Sequence, residues 1–298
     1  MSTNQSVATF ESQPLPGRGY LICCMQRTGS TMLAHTLRST GLAGQPAECF
    51  NPLLLDKPPL RDILGGLSLL EGLDRVLRAG TSANGIFGAV MHWGHPRFLG
   101  GELSRSLGDG KRRWMSEVLF AQLPRLLNEE QVNSLLEEEF GQLEFHARAL
   151  EFLQSKMPDL RLIWLDRREM LARAVSHYRA EASGEWSRRA GDAAPDGGRA
   201  PEFDLGRIHT VYQLGLYQQR SWKRFFQMHG IEPHHVMYED LVDRYEETVR
   251  GVLGFLDLEA QEAKIGPPDT ARQTDELSRE WMQRYLKLIE ASEAGAGV

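Results

Sequence analysis

Residues Gly19–Thr40, GYLICCMQRTGSTMLAHTLRST, open with a short apolar run, Tyr20-Leu21-Ile22-Cys23-Cys24-Met25. A small polar turn from Gln26 to Ser30 follows, and then helical spacing at Met32, Leu33, Thr36 and Leu37. The succession predicts strand, turn and helix. Gly29 permits a tight turn, which sets the amides of Ser30 and Thr31 at a helix N-terminus where aligned peptide dipoles favour an anion. An ATP-type P-loop places lysine just after its second glycine; here Ser30 takes that position, and the positive charge comes earlier, from Arg27. Taken alone, Gly29-Ser30-Thr31 also reads as an ordinary capped helix start.

Outward from this turn, Gly41 is placed as a helix stop and the loop Ala43–Phe50 follows. Loops at the carboxyl ends of strands line the ligand crevice of open α/β sheets, so Glu48 is within reach of a bound substrate. A leucine-rich helix is expected from Leu60 to Leu77, kinked at Gly65-Gly66, with its leucines available for a lipid-facing wall or an oligomer contact. Gly85–Trp93 reads as a second strand ending in His92, Trp93 and, just beyond, His95, all crevice candidates. Arg97–Lys156 reads as mostly helical, with Asn128 as an N-cap and Glu137-Glu138-Glu139 as a solvated face.

A third strand, Leu160–Leu165, runs into Asp166-Arg167-Arg168, and a helix then carries Ala174, Val175, Ser176 and Tyr178. Two arginines at a strand end, with a serine about two helical turns on, make a second anion site separate from the first, unless they merely pair with Asp166 or Glu169. Gly184–Pro201 reads as a surface loop or lid, Leu205–Met228 as a long helix, His235–Tyr238 as a short strand and Val242–Leu256 as an amphipathic helix. Gly266-Pro267-Pro268 breaks the helical pattern, so Asp269–Asp275, with Arg272 and Gln273, is a loop ahead of a last helix from Leu277 to Ile289.

Composition bounds the function. The 298 residues carry a net charge of −6, which argues against a general nucleic-acid binder and leaves clusters such as Lys111-Arg112-Arg113 as solvated surface. Three cysteines, two of them adjacent on an expected buried strand, fit a reducing compartment. The polar N-terminal segment has no secretory-type apolar core, and no run is long enough to span a membrane, so a cytoplasmic location is expected. The expected organisation is a flexible arm at 1–18, one domain at 19–290 and a flexible tail at 291–298.

The motifs taken in order resemble the sulfotransferases that use 3'-phosphoadenosine-5'-phosphosulfate (PAPS), and in particular the trehalose 2-sulfotransferase family. The likeness rests on Gln26–Thr31, Gly44-Gln45-Pro46-Ala47-Glu48, Arg167-Arg168 with Ala174-Val175-Ser176, Tyr238-Glu239-Asp240-Leu241, and Arg272-Gln273 ahead of Glu280-Trp281 and Arg284-Tyr285. The resemblance implies an α/β fold with a P-loop-like parallel sheet flanked by helices. It implies a 5'-phosphosulfate loop at Arg27, Thr28, Gly29, Ser30 and Thr31, and a 3'-phosphate site at Ser176. The arginine beside Ser176 is Arg168 in the cytosolic register and Arg167 in the trehalose-enzyme register. Arg272 and Gln273 resemble the late loop over the nucleotide.

By the same resemblance Glu48 is the general base. His92 is the competing base, because cytosolic sulfotransferases carry Lys-x-His on the corresponding strand; Val90 stands where that lysine would be. That leaves transition-state charge to Arg27. Gln45 stands where the trehalose enzyme has a second carboxylate, so Gln45, Glu48 and Trp93 are the expected acceptor contacts. The partner is then a small-molecule hydroxyl acceptor, with PAPS as co-substrate and no metal, because the sulfuryl group carries less negative charge than a γ-phosphate. A homodimer is left open. The rival readings are a P-loop kinase or NTPase, with Asp166 holding magnesium, and a nucleotide-binding protein without catalysis. Cys49 beside Glu48 reads as a half-buried cysteine, because no histidine partner can be assigned to make it a nucleophile.

Overall fold

The computed structural model describes residues 14–107, 143–186, 201–259, 261, 263–269 and 275–295. Strand β1, Arg18–Cys24, is buried along almost its whole length, as a central parallel strand covered on both faces must be. It pairs in parallel with β2, Ile86–His92, on one side and with β3, Asp159–Asp166, on the other; β4, His234–Met237, extends the sheet beyond β3. The order β2-β1-β3-β4 puts β1 where the winding changes direction, and the crevice at the carboxyl end of such a strand is where α/β sheets bind ligands.

Residues alternate between two cores with the period of a strand. Leu21 and Cys23 join one cluster, with α2 (Leu60–Leu64), α3 (Leu73–Ala79), α4 (Gly94–Ser106), α5 (Leu143–Lys156) and the C-terminal half of α7 (Leu205–Met228). Tyr20, Ile22 and Cys24 join the other, with α1 (Ser30–Ser39), α8 (Tyr238–Asp243) and α9 (Tyr245–Phe255). A third cluster, Val175, Ile208, Trp281 and Tyr285, docks α10 (Glu276–Gly295) on α6 (Met170–Ser183) and α7.

Several elements differ from the sequence expectation. The leucine-rich stretch is two short helices, because Gly65 and Gly66 both take positive φ, 59° and 88°, and end α2 outright. Its Leu60, Leu64, Leu69, Leu73 and Leu77 are core residues and form no outer wall. Tyr238 starts a helix where a strand end was expected, and the following helical stretch breaks at Arg244. Arg18 lies in β1, ion-paired to Asp159 at 2.9 Å, and α10 runs on to Gly295. Lys111–Arg113, Asn128, Glu137–Glu139, Arg272, Gln273 and most of the Gly184–Pro201 segment lie outside the described residues.

Candidate active site

The turn between β1 and α1 is held by the carbonyls of four successive residues. Trp222 Nε1 donates to the Cys24 carbonyl at 3.1 Å, Thr28 Oγ1 to Met25 at 2.7 Å, Arg173 Nη1 to Gln26 at 3.1 Å and Arg167 Nη1 to Arg27 at 2.8 Å. In a trans peptide the N–H points opposite to the C=O, so pinning these carbonyls turns the intervening amides the other way. Arg27 itself is left-handed at φ 67° and Gly29 follows at 85°. A non-glycine residue there costs about 1–3 kcal/mol and persists only where its surroundings impose it; such turns make anion-binding concavities. Gly29 has a second constraint, because a Cβ would stand 2.7 Å from the Tyr238 ring.

Three guanidinium groups converge on this turn. Arg27 Nε donates to Ser176 Oγ at 2.9 Å, and its Nη1 donates to the Trp186 carbonyl. Arg167 lies 4.4 Å over the Tyr238 ring. Arg173, 1% exposed, also donates to the Val211 carbonyl at 2.9 Å. These partners are carbonyls, a hydroxyl and an aromatic face; Glu185 is an acidic group whose charge Arg27 feels. Burial, and next the charge of Arg167, lower the Arg27 pKa to about 10 and the Arg173 pKa to about 9. All three stay cationic at neutral pH, and an anion among them would relieve their repulsion.

The turn and Ser176, the two expected anion sites, adjoin: the Arg27 side chain joins one to the other. Arg167 and Arg168 diverge. Arg167 turns to Arg27 and Tyr238, whereas Arg168, about half exposed, pairs with Asp240 at 3.0 Å. Glu239 accepts the N–H groups of Arg168 and Glu169, both at 3.1 Å, and so fixes the start of α6. Asp166 is 5% exposed and accepts from the Arg167 N–H and Gln219 Nε2, both at 2.8 Å, so it acts as an anchor within the fold. Among the described residues no group of three or more His, Cys, Asp or Glu is arranged around a metal position.

Glu48 reaches the sheet by a backbone device. Ala47 forms a parallel bridge with Ala89, and its carbonyl accepts the Val90 N–H at 2.9 Å, so Glu48 arrives beside the carboxyl end of β2. Its Oε1 is 3.2 Å from His92 Nε2 and its Oε2 accepts from Asn51 Nδ2 at 2.8 Å; the side chain is 33% exposed. Burial alone would raise the Glu48 pKa, but the charge and hydrogen bond of His92, with Asn51, hold it well below the usual carboxylate range. Burial likewise pulls His92 down, and Cys24 and Glu48 outweigh it and raise it. Burial and the charge of His92 push His95 down to about 3.

The expected acceptor contacts divide. Gln45 is exposed, its N–H donating to the Gly80 carbonyl at 2.9 Å. Trp93 is 8% exposed, stacked on His146 with ring centroids 4.0 Å apart and edge-on to Trp222, so the structure places it in an aromatic core. Thr28 and Ser30 are buried as well. Sequence reasoning missed Arg173, Tyr238 as a ring platform, and His177, whose Nδ1 is buried without a hydrogen-bond partner. Burial, then the charges of Arg173, Arg27, His92 and Arg207, push the His177 pKa down, and its ring stands edge-on to Trp186 with centroids 5.3 Å apart. An arginine on the apolar face of α6 was the one available signal.

A parallel sheet with an arginine-lined turn at its switch point and a carboxylate beside the neighbouring strand is an arrangement suited to a group-transfer enzyme on a P-loop-like fold. The Stf0 sulphotransferase family pattern matches residues 19–119 and 125–287, and the chain belongs to that family. It is 28% identical over 274 residues to the trehalose 2-sulfotransferase of Mycolicibacterium smegmatis, covering 90% of this chain and 94% of that protein. It is 26% identical over 294 residues to the trehalose 2-sulfotransferase of Mycobacterium tuberculosis, with the same coverage.

Proposed function

We propose that this sulfotransferase moves a sulfuryl group from PAPS to a hydroxyl of a carbohydrate, trehalose or a relative, by in-line displacement. The observation that carries the reading is the convergence of Arg27, Arg167 and Arg173 on one turn, with Ser176 in hydrogen-bond contact with Arg27. Clustered guanidinium groups of this kind suit a nucleotide with phosphate on both sides of its ribose. Arg27 and the turn amides take the 5'-phosphosulfate, and Ser176 with Arg167 takes the 3'-phosphate. Arg168, engaged with Asp240, is the lesser choice.

Glu48 takes the acceptor proton as the new O–S bond forms. The S–O bond to the phosphate breaks with its electron pair on the phosphate oxygen, where Arg27 and the amides stabilise the growing charge. The carbohydrate acceptor is inferred from the two curated relatives. We further propose that the reaction needs no divalent metal, which unchanged turnover in excess EDTA would bear out. The test of the function is transfer of labelled sulfuryl from PAPS to trehalose by the purified protein, with ATP as the control donor. Protection against thermal unfolding by ATP but not by adenosine 3',5'-bisphosphate would favour the kinase reading instead.

A further inference from the structure

We propose that His92 and Cys24 are positioning residues for Glu48: a buried thiol–imidazole–carboxylate chain that aims the carboxylate at the acceptor hydroxyl. The proposal rests on the assignment of Glu48 as the base. Cys24 and His92 end β1 and β2 and are register partners, so their side chains share one face of the sheet. His92 is 4% exposed, with Nδ1 3.4 Å from Cys24 Sγ and Nε2 3.2 Å from Glu48 Oε1. An ionised carboxylate only accepts hydrogen bonds, so Nε2 carries the hydrogen. A thiol both donates and accepts, weakly. Cys24 therefore serves Nδ1 whether the ring is neutral, with S–H donating, or cationic, with Nδ1–H donating.

The rest of the chain's surroundings fit a device for holding one group still. Asn51 Nδ2 donates to Glu48 Oε2 at 2.8 Å, so each carboxylate oxygen has one fixed donor and keeps lone-pair capacity for the incoming proton. The His95 ring stands edge-on to His92 with centroids 5.1 Å apart, and its Nδ1 accepts the His92 backbone N–H at 3.3 Å. The titratable or charged groups that face His92 are thus Cys24 from β1, Glu48 from the loop, His95 from α4 and, by its field, His177 from α6. Only Glu48 among the three chain members is appreciably open, and it ends the chain nearest solvent. The pairing also keeps Glu48 ionised. In the transfer step the acceptor proton passes to Glu48; His92 and Cys24 keep their own protons.

Two readouts test this on the full-length protein. Imidazole 15N NMR, with His92 assigned by its loss in His92→Gln, reads the ring directly and needs no acceptor. A hydrogen held on Nε2 by Glu48 is expected in the wild type, with the Nδ1 resonance displaced in Cys24→Ala, where its partner is removed, and returned towards its wild-type position in Cys24→Ser. A hydrogen on Nδ1 facing a bare Nε2, or no change in Cys24→Ala, overturns the proposal even if sulfuryl transfer is demonstrated. The second readout is the pH profile of kcat/KM for transfer from PAPS to trehalose. In His92→Ala the acid limb should rise by about one pH unit or more as the Glu48 carboxyl loses its partner, with adenosine 3',5'-bisphosphate affinity within about twofold of wild type. An unmoved limb contradicts the proposal, and loss of transfer at every pH with intact nucleotide binding makes His92 the base. If the wild type transfers nothing to trehalose, the proposed acceptor fails, and the NMR arm alone decides the chain.

Discussion

Glu48 is pulled in opposite directions by burial and by pairing, and pairing wins. Its folded pKa lies below the ordinary 4.5, so its contribution to stability is complete above that pH and is lost as pH falls through the folded value. Replacing it with glutamine keeps the shape and the Asn51 contact but removes the proton acceptor. We expect Glu48→Gln to bind adenosine 3',5'-bisphosphate as the wild type does and to lose about 10²–10⁴-fold in kcat; undiminished turnover would move the base to His92. Gly29 fails differently. Alanine there meets both the left-handed backbone and the Tyr238 ring, so Gly29→Ala should lower stability by about 1–3 kcal/mol in denaturant titration and weaken bisphosphate binding. An unchanged midpoint with unchanged affinity would mean that the turn is not held as described.

At the scale of elements, α7 shows how much local sequence can say. Its bounds, Leu205–Met228, match the reading from periodicity, because Asp204 caps the first turn by accepting the Arg207 N–H at 3.0 Å and apolar positions recur down one face. Asp204→Ala should therefore cost about 1 kcal/mol, read as a lower unfolding midpoint, whereas a change within error would show the cap to be redundant. The strand–turn–helix at Gly19–Thr40 was legible from sequence as well: a short apolar run, a glycine and a period of 3.6 follow one another. The fate of Gly65-Gly66 was not, because a kink and a stop share one sequence signal and tertiary packing chooses between them. The divergence of Arg167 and Arg168 was also hidden. Only the placement of Asp240 and Tyr238, brought in by β4 and α8, shows which arginine turns to the turn and which turns away. Arg173 and His177 escaped notice because their meaning lies in what α6 packs against.

For the whole molecule, the consequence of three buried or half-buried guanidinium groups around one turn is a fold that an anion should stabilise. A ligand that binds only the folded chain adds about 2.7 kcal/mol at a hundredfold excess over its Kd, so adenosine 3',5'-bisphosphate should raise the melting temperature by several degrees. The gain should shrink as salt screens the charges, and a salt-independent gain would point to binding elsewhere. The order β2-β1-β3-β4 matters here, because it brings the ends of β1 and β3 side by side and so sets Arg27 in contact with both Arg167 and Ser176. Calorimetric comparison of adenosine 3',5'-bisphosphate with adenosine 5'-monophosphate, in the wild type and in Arg167→Met, reads that arrangement directly. We predict that the wild type prefers the bisphosphate by about 10–100-fold and that the preference collapses in the variant. Equal affinity for the two nucleotides in the wild type, or a preference untouched by Arg167→Met, would contradict the account.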